Sequence, residues 1–409
     1  MVSKYDIFYV IATKGEIKIS EIVKVLNKQK EDYQIVFNHV LELEKEGYIE
    51  RDKTIRVNHN EGSKTLFRLI SFCITNGINY NLMFKSSMLE FIEKAAKKEY
   101  FTIKDIKIHP QTYNFYIASL SKYGFLLILS RNPLKCKLLK HRFLIDLGDF
   151  FNNPIKFYAP KQKDLIPEIE KEAKKYKRNL KIHYSILEDL EKQEEVGFIY
   201  SSLNLEGNPL TLSDTQKLLL KEIVPEKYKL RDIQEVTNYK KAIDLMVSNA
   251  KKRVKLDLRL ILKYHELAMS HIPEAGKIRK ENVMIKGNPH FKTSEWQLIN
   301  LRLNELMKSY DKFESENRSI KEVIDFAAFF HNEFQRIHPF IDGNSRTSRL
   351  LMLHILRSHD IPALELPLGY FDSYMNLTKL SKKRDDESFK YLIQEIVLFD
   401  IKRINARLG

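Results

Sequence analysis

Residues 338–349 constrain this chain more than any other part of its sequence. They read His-Pro-Phe-Ile-Asp-Gly-Asn-Ser-Arg-Thr-Ser-Arg. Pro339 must stop a preceding helix, because proline cannot continue one and its neighbour avoids the helical conformation. Gly343 and Asn344 suit a tight loop, Asn344 is a good N-cap, and a second helix is expected from about Ser345. The run therefore predicts a helix, a sharp loop and a helix N-terminus.

The side chains of this run predict an anion site with acid–base chemistry beside it. A helix N-terminus attracts anions through its free N–H groups and its dipole, and Arg346 and Arg349 lie where guanidinium groups can bind a polyphosphate. Asp342 alone would repel phosphate, and an Mg²⁺ ion between the two reconciles their charges. His338 is of the residue type whose pKa suits a proton acceptor, and the apolar Phe340 is expected to fill the core. Together these groups predict phosphoryl or nucleotidyl transfer.

The twelve residues match the Fic motif His-Pro-Phe-x-(Asp/Glu)-Gly-Asn-x-Arg-x-x-Arg at every specified position, so the chain resembles the Fic (Fic/Doc-like) family. The resemblance extends over residues 184–409, where 235–242 is similar to the family's first core helix and 276–285 to its flap. It implies a mainly α fold, with a helical Fic core and a short β-hairpin flap at about 276–292. It also implies an enzyme that transfers AMP from ATP to a Ser, Thr or Tyr hydroxyl of a target protein (AMPylation).

The resemblance assigns roles to single residues of the active-site loop at 338–349. His338 would deprotonate the target hydroxyl, and Asp342 would hold Mg²⁺ on the α- and β-phosphates. The nucleotide-binding residues that the resemblance implies are Gly343, Asn344, Ser345, Arg346, Arg349 and Tyr374. The target would add a strand to the flap at Val283, Met284 and Ile285.

A second motif lies upstream, in residues 201–208, which read Ser-Ser-Leu-Asn-Leu-Glu-Gly-Asn. Ser202 and Glu206 are four residues apart on one helix face, and Gly207 ends the helix. The run is similar to the family's inhibitory motif, (Ser/Thr)-x-x-x-Glu-(Gly/Asn), in a helix expected at about 195–207. The resemblance implies that Glu206 pairs with Arg349 and removes the γ-phosphate clamp, so that the enzyme is autoinhibited. Auto-AMPylation and de-AMPylation both stay open.

The residues before this core are predicted to form tandem winged-helix-like α+β units, at 1–62 and 63–150. Each unit is expected to contain helices followed by a hairpin, with a glycine at the end of the last helix. A charged connector is expected over 151–183. Cations without acids in the second predicted wing suggest that 101–145 could contact DNA, and the alternative is a protein-binding module. From about 184 the chain is expected to be helical to its end, apart from 276–292.

Composition excludes several classes of protein and leaves others open. Two cysteines exclude a disulfide framework and fit a reducing cytoplasm, while no apolar run approaches the roughly 18 residues of a membrane span. The net charge of +15 is spread over both halves of the chain, so it does not by itself indicate nucleic acid. Two alternatives remain: a DNA-binding regulator whose Fic core senses ATP, and a Fic enzyme that transfers another nucleotide or phospho group. The sequence also leaves open whether the protein forms homo-oligomers.

Overall fold

The computed structural model describes residues 2–27, 29, 32–131, 133–158, 164–182, 184–285, 288–362 and 366–408. Within these residues the chain is mainly α-helical with two short antiparallel hairpins, which confirms the predicted fold class. The chain divides into two compact units. None of the helices in the described part combines the length and the apolar character that crossing a membrane requires.

The first unit comprises Met1–Tyr123 and Lys140–Tyr158. It opens with three helices and a hairpin, as the sequence predicts, and Ile17 extends the hairpin through a bridge to Ile55. Its assignment as winged-helix-like stays a prediction. Its elements are α1 (Lys4–Lys14), α2 (Ile19–Val25), α3 (Tyr33–Lys45), β1 (Ile49–Arg51), β2 (Ile55–Val57), α4 (Glu61–Thr75), α5 (Tyr80–Met83), α6 (Ser86–Ala96), α7 (Ile103–Ile106), α8 (Pro110–Lys122) and α9 (Arg142–Phe150).

The second unit comprises Gly124–Leu139 and Ala159–Gly409 and contains the long helices. Its elements are β3 (Leu126–Arg131), β4 (Leu134–Leu138), α10 (Ile166–Ile182), α11 (Tyr184–Asn204), α12 (Leu212–Lys221), α13 (Leu230–Lys251), α14 (Leu258–Ala268), α15 (Ile299–Glu314), α16 (Ile320–Ile337), α17 (Asn344–Ser358), α18 (Phe371–Leu377) and α19 (Asp386–Leu408). α16 packs on α17, and α13, α14 and α19 surround this pair.

The sequence determines where the central helix α16 begins and which face it buries. Ser319 and Glu322 form a capping box at its first turn, where each accepts a hydrogen bond from the backbone of the other. Phe330 and Phe334 are fully buried on one face, and Leu350 and Leu353 of α17 are buried with them. Burial of these large apolar side chains holds the two helices together, and so holds the loop between them.

The charged connector predicted over 151–183 includes a helix that packs on the second unit. Positions 159–163 and 183 lie outside the described residues. α10 buries Ile169, Ala173 and Tyr176, and it packs against α19. At its solvent edge Glu168 pairs with Lys402. The charges of this helix are thus solvated on one face only, while its other face belongs to the core.

The β-hairpin predicted at 276–292 is wrong for the part that can be described. Its described residues, 276–285 and 288–292, contain no strand, while positions 286 and 287 lie outside them. The backbone bonds to the active-site loop instead, since the Arg279 N–H donates to the Pro339 carbonyl at 2.9 Å. An isolated two-stranded hairpin is marginal in water, so these outside partners prevail.

Candidate active site

The predicted helix, loop and helix N-terminus are present at 338–349. α16 ends at Ile337, and His338 follows it in the left-handed conformation with a φ of 51°. Gly343, with a φ of 79°, is the N-cap of α17. A Cβ atom here would lie 2.6 Å from the Met269 side chain, so both the conformation and the space require glycine.

Asn344 differs from its predicted role as the N-cap. It is the first residue of α17, and its side chain is buried. Its Oδ1 accepts from the Phe340 N–H at 2.9 Å, and its Nδ2 donates to the Phe340 carbonyl at 2.8 Å. The side chain therefore closes the loop upon itself, because a glycine in the preceding position already supplies the turn.

His265 supports this loop from below, although it belongs to no motif of the sequence. Its ring stacks on Phe340, with centroids 3.6 Å apart and 9° between the planes. Its Nδ1 accepts from the Gly276 N–H at 2.8 Å, so its Nε2 carries the proton and donates to the Asp342 carbonyl at 2.9 Å. Burial lowers the pKa of His265 to about 4, which keeps this pattern of hydrogen bonds at neutral pH. Phe340 is fully buried, as expected.

His338 is arranged as a neutral imidazole. Its Nδ1 lies 3.2 Å from the Gln335 carbonyl, which can only accept, so this nitrogen carries the proton. Nε2 is thereby left as the nitrogen with a free lone pair. Burial lowers the pKa of His338 to about 4, and the nearby positive charge of Arg279 also lowers it. A neutral ring with one free nitrogen is what a proton acceptor requires.

Arg279 joins the flap to the loop and was not recognised as a site residue from the sequence. It is 3% exposed, and its Nε donates to the His338 carbonyl at 2.7 Å. Its two terminal nitrogens donate to the carbonyls of Glu281 and Ser294. One buried guanidinium thus joins the start of the loop, at His338, to Glu281 and Ser294 in and beside the flap. In the sequence, only the resemblance of 276–285 to the Fic flap points to this region.

Asp342 and Arg346 lie together at the start of α17. The Asp342 side chain is 52% exposed, while that of Arg346 is 5% exposed, and the Arg346 Nη2 lies 3.3 Å from the Asp342 Oδ1. Asp342 Oδ1 also accepts from the Gly343 N–H. The buried Nε of Arg346 has no hydrogen-bond partner among the described residues. A buried donor of this kind favours an anionic ligand.

A cavity of about 200 Å³ lies at this helix N-terminus. The predicted residues that line it are Glu206, Met284, Ile285, His338, Asp342, Gly343, Asn344 and Ser345. Four residues that no motif named also line it: Phe291, Gln335, Ile341 and Lys379. The base, the acid and the N–H groups of the loop therefore share one space.

Arg349 is fully buried beside this cavity, and residues in and just after helix α11 hold it. Its Nε donates to the Ser202 Oγ at 2.7 Å, and its Nη2 donates to the Ser202 carbonyl at 2.9 Å. Nη2 also pairs with the Glu206 Oε1 at 3.0 Å, so the pairing expected from the sequence is present. The Ser202 hydroxyl donates in turn to Tyr239, which bonds to the Arg346 carbonyl. We name this set of contacts the Arg349 latch.

Glu206 is ionised within the latch. Burial by itself would raise the pKa of this carboxyl, but the positive charges of Arg349, Lys379 and Arg346 outweigh burial and hold the pKa below its usual value. Its Oε2 lies 3.4 Å from the Lys379 Nζ. Two cations therefore bind the two oxygens of one carboxylate.

Tyr374 lies beneath Arg349 and does not line the cavity. It is 2% exposed, and its hydroxyl bonds to the His331 Nε2 at 2.8 Å and to the Arg349 Nη1 at 3.5 Å. Its ring also faces the guanidinium, 5.9 Å away. In this state Tyr374 supports Arg349, and its predicted contact with an adenine stays a prediction.

The flap residues border the cavity and leave backbone groups unpaired. Met284 is 90% exposed, whereas Val283 and Ile285 are half-buried. The Val283 carbonyl accepts from the Thr293 hydroxyl at 3.0 Å. Among the described residues the N–H groups of 283, 284 and 285 have no backbone acceptor. An extended segment with free N–H groups can pair with a further strand.

The donor set fits Mg²⁺ held mainly by a nucleotide. Within the described residues, no group of three or more His, Cys, Asp or Glu side chains is placed to hold a metal ion. Asp342 is the one carboxylate of the loop, and it is open to solvent on the cavity side. Mg²⁺ commonly uses one or two carboxylates together with substrate phosphates. The residues present therefore suit a metal that arrives with its phosphates.

The fold and site define a helical domain in which a tight loop between two core helices leads into the N-terminus of the second helix. The model of the Fic/DOC family matches residues 255–356. These residues of the chain therefore form a Fic domain. The match includes the whole loop from His338 to Arg349.

Curated relatives agree with this assignment over half of the chain. "Protein adenylyltransferase Fic" of Drosophila persimilis is 27% identical over 214 residues, which cover 52% of this chain and 41% of the relative. The protein of the same name from Drosophila erecta is 28% identical over 200 residues, or 48% of this chain and 39% of the relative. The chain spans less than half the length of the curated relatives it matches.

Solved structures show the same fold. A Fic domain containing signaling protein from Bacteroides thetaiotaomicron has a TM-score of 0.53 at 18% identity and covers 59% of this chain and 96% of that one. Fic-1 of C. elegans, residues 134–508 with the change E274G, has a TM-score of 0.52 at 21% identity. The match covers 58% of this chain and 70% of that one. These likenesses concern the fold alone.

Proposed function

We propose that this chain is a protein adenylyltransferase that transfers AMP from ATP to a hydroxyl side chain of a target protein, and that Glu206 holds it inactive. The observation that carries the proposal is the ion pair of Glu206 with Arg349 beside a cavity lined by His338 and the N-terminus of α17. The names of the curated relatives support the type of transfer.

In the proposed reaction the target hydroxyl attacks the α-phosphorus of ATP. Its proton passes to the His338 Nε2, the new P–O bond forms, and the bond to the β-phosphate oxygen breaks to release pyrophosphate. The N–H groups of Asn344 and Ser345 at the start of α17 would stabilise the phosphates, as a helix N-terminus does for anions, and Gly343 would allow the phosphates to approach this turn closely. Asp342 would hold Mg²⁺ on them, and this ion would neutralise the charge that develops on the leaving group.

The flap would position the target. An extended segment of the target protein would pair with the unbonded N–H groups of 283–285, so that its hydroxyl reaches His338. Pairing through the backbone makes little demand on the target's sequence.

Autoinhibition would act through the terminal phosphate. Arg346 is the proposed ligand of the β/γ end of ATP, and Arg349 is the proposed ligand of the γ-phosphate. In this state the Glu206 carboxylate occupies Arg349. ATP would then bind with its α-phosphorus badly placed for attack. Breaking one side of a buried Arg–Glu pair is costly, which makes the pair a suitable latch.

The test replaces Glu206 by glycine and follows incorporation of label from ATP labelled at the α-phosphate. We expect the wild type to be nearly silent and Glu206→Gly to be at least about tenfold faster in auto-AMPylation, because the Arg349 latch is then released. ATP labelled at the γ-phosphate is the control, since it should leave no label. Equal labelling by both proteins would refute the latch, and γ-label incorporation would refute AMP as the transferred group.

The N-terminal residues 1–150 would serve as regulatory or targeting arms of this cytoplasmic enzyme. The structure gives no specific support to DNA as their ligand. Lys137 of the predicted wing pairs with Glu395 of α19, and Arg142 pairs with Asp146. A cation that already has an acidic partner releases fewer counterions on binding a phosphate backbone.

A further inference from the structure

Lys379 lines the cavity, although it belongs to no motif of the sequence. It lies in the turn directly after α18, and its side chain lines the same cavity as His338 and Asp342. Its Nζ lies 3.4 Å from the Glu206 Oε2, and its side chain is 32% exposed. The ammonium group therefore faces both the inhibitory carboxylate and the solvent.

The Glu206 carboxylate lies where an anion has three cationic neighbours. One oxygen is 3.0 Å from the Arg349 Nη2, and the other is 3.4 Å from the Lys379 Nζ. Arg346 adds a third positive charge that acts on this carboxylate, and its buried Nε has no partner. A phosphate carries the same kind of oxygen at higher charge, so the place that Glu206 occupies is chemically suited to a phosphate.

Lys379 would keep its position if Glu206 left. The Asn288 Nδ2 donates to the Lys379 carbonyl at 2.9 Å, and the Leu380 N–H donates to the Met375 carbonyl, so the turn is fixed without the carboxylate. Among the described residues, Glu206 is the only side chain recorded as a partner of the Lys379 Nζ. Release of Glu206 would leave an ammonium group without its counterion at the cavity wall, ready for another anion.

We propose that Lys379 is a second ligand for the terminal phosphate of ATP, exchanging the Glu206 carboxylate for that phosphate when the latch opens. This inference rests on the proposed function, because it takes ATP as the nucleotide. Arg349 binds from the buried side, and Lys379 binds from the exposed side. Lys379 is a binding residue here and takes no part in proton transfer.

The exchange predicts effects of opposite sign in two backgrounds. In the wild type, Lys379→Met removes one of the two cations that hold Glu206, so auto-AMPylation should rise several-fold. In Glu206→Gly, the same change removes a phosphate ligand, so the KM for ATP should rise while kcat changes little. A residue that only packs the turn would shift both backgrounds in the same direction.

The decisive measurement is direct nucleotide binding by calorimetry, in a Glu206→Gly, His338→Ala background that does not consume ATP. We expect Lys379→Met to weaken ATP binding by about tenfold, as loss of a charge-assisted hydrogen bond does, and to change ADP binding less than about twofold. Lys379→Arg keeps the charge and should retain most of the ATP affinity. Lys382→Met, a nearby exposed lysine, is the matched control for the change in net charge and should leave both affinities unchanged.

Each outcome decides between the alternatives. An unchanged ATP affinity in the Lys379→Met protein overturns the proposal, and equal weakening of ATP and ADP overturns the assignment to the terminal phosphate. If Glu206→Gly transfers no AMP but ATP binding still depends on Lys379, the proposed function fails and the phosphate ligand stands. If AMP is transferred and Lys379 does not affect ATP binding, the proposed function stands and this inference fails.

Discussion

A single side chain, His338, carries the proton chemistry of the proposed site, and its surroundings decide the pH at which it works. Burial lowers its pKa to about 4, and the Gln335 carbonyl fixes its proton on Nδ1. The ring is therefore neutral throughout the physiological range. An imidazole with an ordinary pKa of about 6.5 would already be mostly protonated at pH 6.

The pH profile of Glu206→Gly should reflect this lowered pKa. We expect the rate of AMP transfer to change little between pH 8 and pH 6 and to fall only as the pH approaches 5 and below, where His338 takes up a proton. The measurement is the initial rate at saturating ATP, with ATP affinity determined at each pH as the control. A rate that halves near pH 6.5 would show that the pKa is not lowered.

His338→Ala should separate chemistry from binding. We expect transfer by Glu206→Gly, His338→Ala to fall to background, because no other neutral imidazole lines the cavity in the described structure. ATP affinity should stay within about threefold, since His338 is not a proposed phosphate ligand. Retained transfer would contradict the role of base, and lost ATP binding would indicate a folding defect instead.

Among the elements, α11 forms the latch, and two adjacent serines on it provide a matched pair. The Ser202 Oγ accepts from Arg349 and donates to Tyr239. Among the described residues, the Ser201 Oγ bonds only to carbonyls of its own helix. Both side chains are buried. We therefore expect Ser202→Ala to raise basal auto-AMPylation several-fold, though less than Glu206→Gly, and Ser201→Ala to have little effect. Equal rates for the two alanine variants would remove Ser202 from the latch.

Elements with strong local signals were predictable, and those fixed by distant partners were not. Periodic apolar residues and capping residues predict long helices such as α16 and α17. Pro339 and Gly343 predict the loop between these two helices. The flap conformation depends on Arg279 binding carbonyls of two other segments, which no local pattern encodes. Asn344 is likewise not the N-cap that the sequence predicts, because the preceding residue, Gly343, occupies that position.

His265 is the clearest example of a site residue hidden from sequence reasoning. A lone histidine on an amphipathic helix carries no motif, yet it stacks on Phe340 and bonds to the Asp342 carbonyl. Lys379 was hidden for the same reason, since its role depends on a contact with Glu206 far along the chain. Neither the periodicity of apolar residues nor the spacing of motifs can predict the long-range contacts of single polar residues.

At the scale of the whole molecule, the excess of positive charge is spread over both halves of the sequence. Lys4 pairs with Glu42 and Glu46 in the first unit, and Lys137 pairs with Glu395 in the second. In each of these pairs the lysine side chain is largely buried, so the pairing is not confined to the solvent-exposed surface. They do neutralise many of the cations, and so the net charge alone does not predict a nucleic-acid partner.

The buried histidines should make the folded chain sensitive to acid. Burial lowers the pKa values of His265 and His354 to about 4 and that of His331 to about 3. The unfolded chain binds protons at these rings near pH 6.5, whereas the folded chain binds them only near pH 4 or below. Stability is therefore complete above about pH 6.5 and is lost as the pH falls from there towards 4.

His354 allows this effect to be isolated. Its Nε2 donates to the Val254 carbonyl at 2.8 Å, and its Nδ1 accepts from the Tyr264 hydroxyl at 2.9 Å, so protonation breaks the second bond. Between pH 7 and pH 5 it should cost about 2 kcal/mol of folding free energy. We expect His354→Gln, which cannot titrate, to be less stable at pH 7 but to lose about 2 kcal/mol less than the wild type on going to pH 5. Urea unfolding of both proteins at the two pH values measures this difference. Burial raises the pKa of Asp400, so this residue contributes to stability with the opposite pH dependence. Its contribution is the same in both proteins and therefore cancels in the comparison. Parallel losses in the two proteins would show that His354 titrates alike in the folded and unfolded chains.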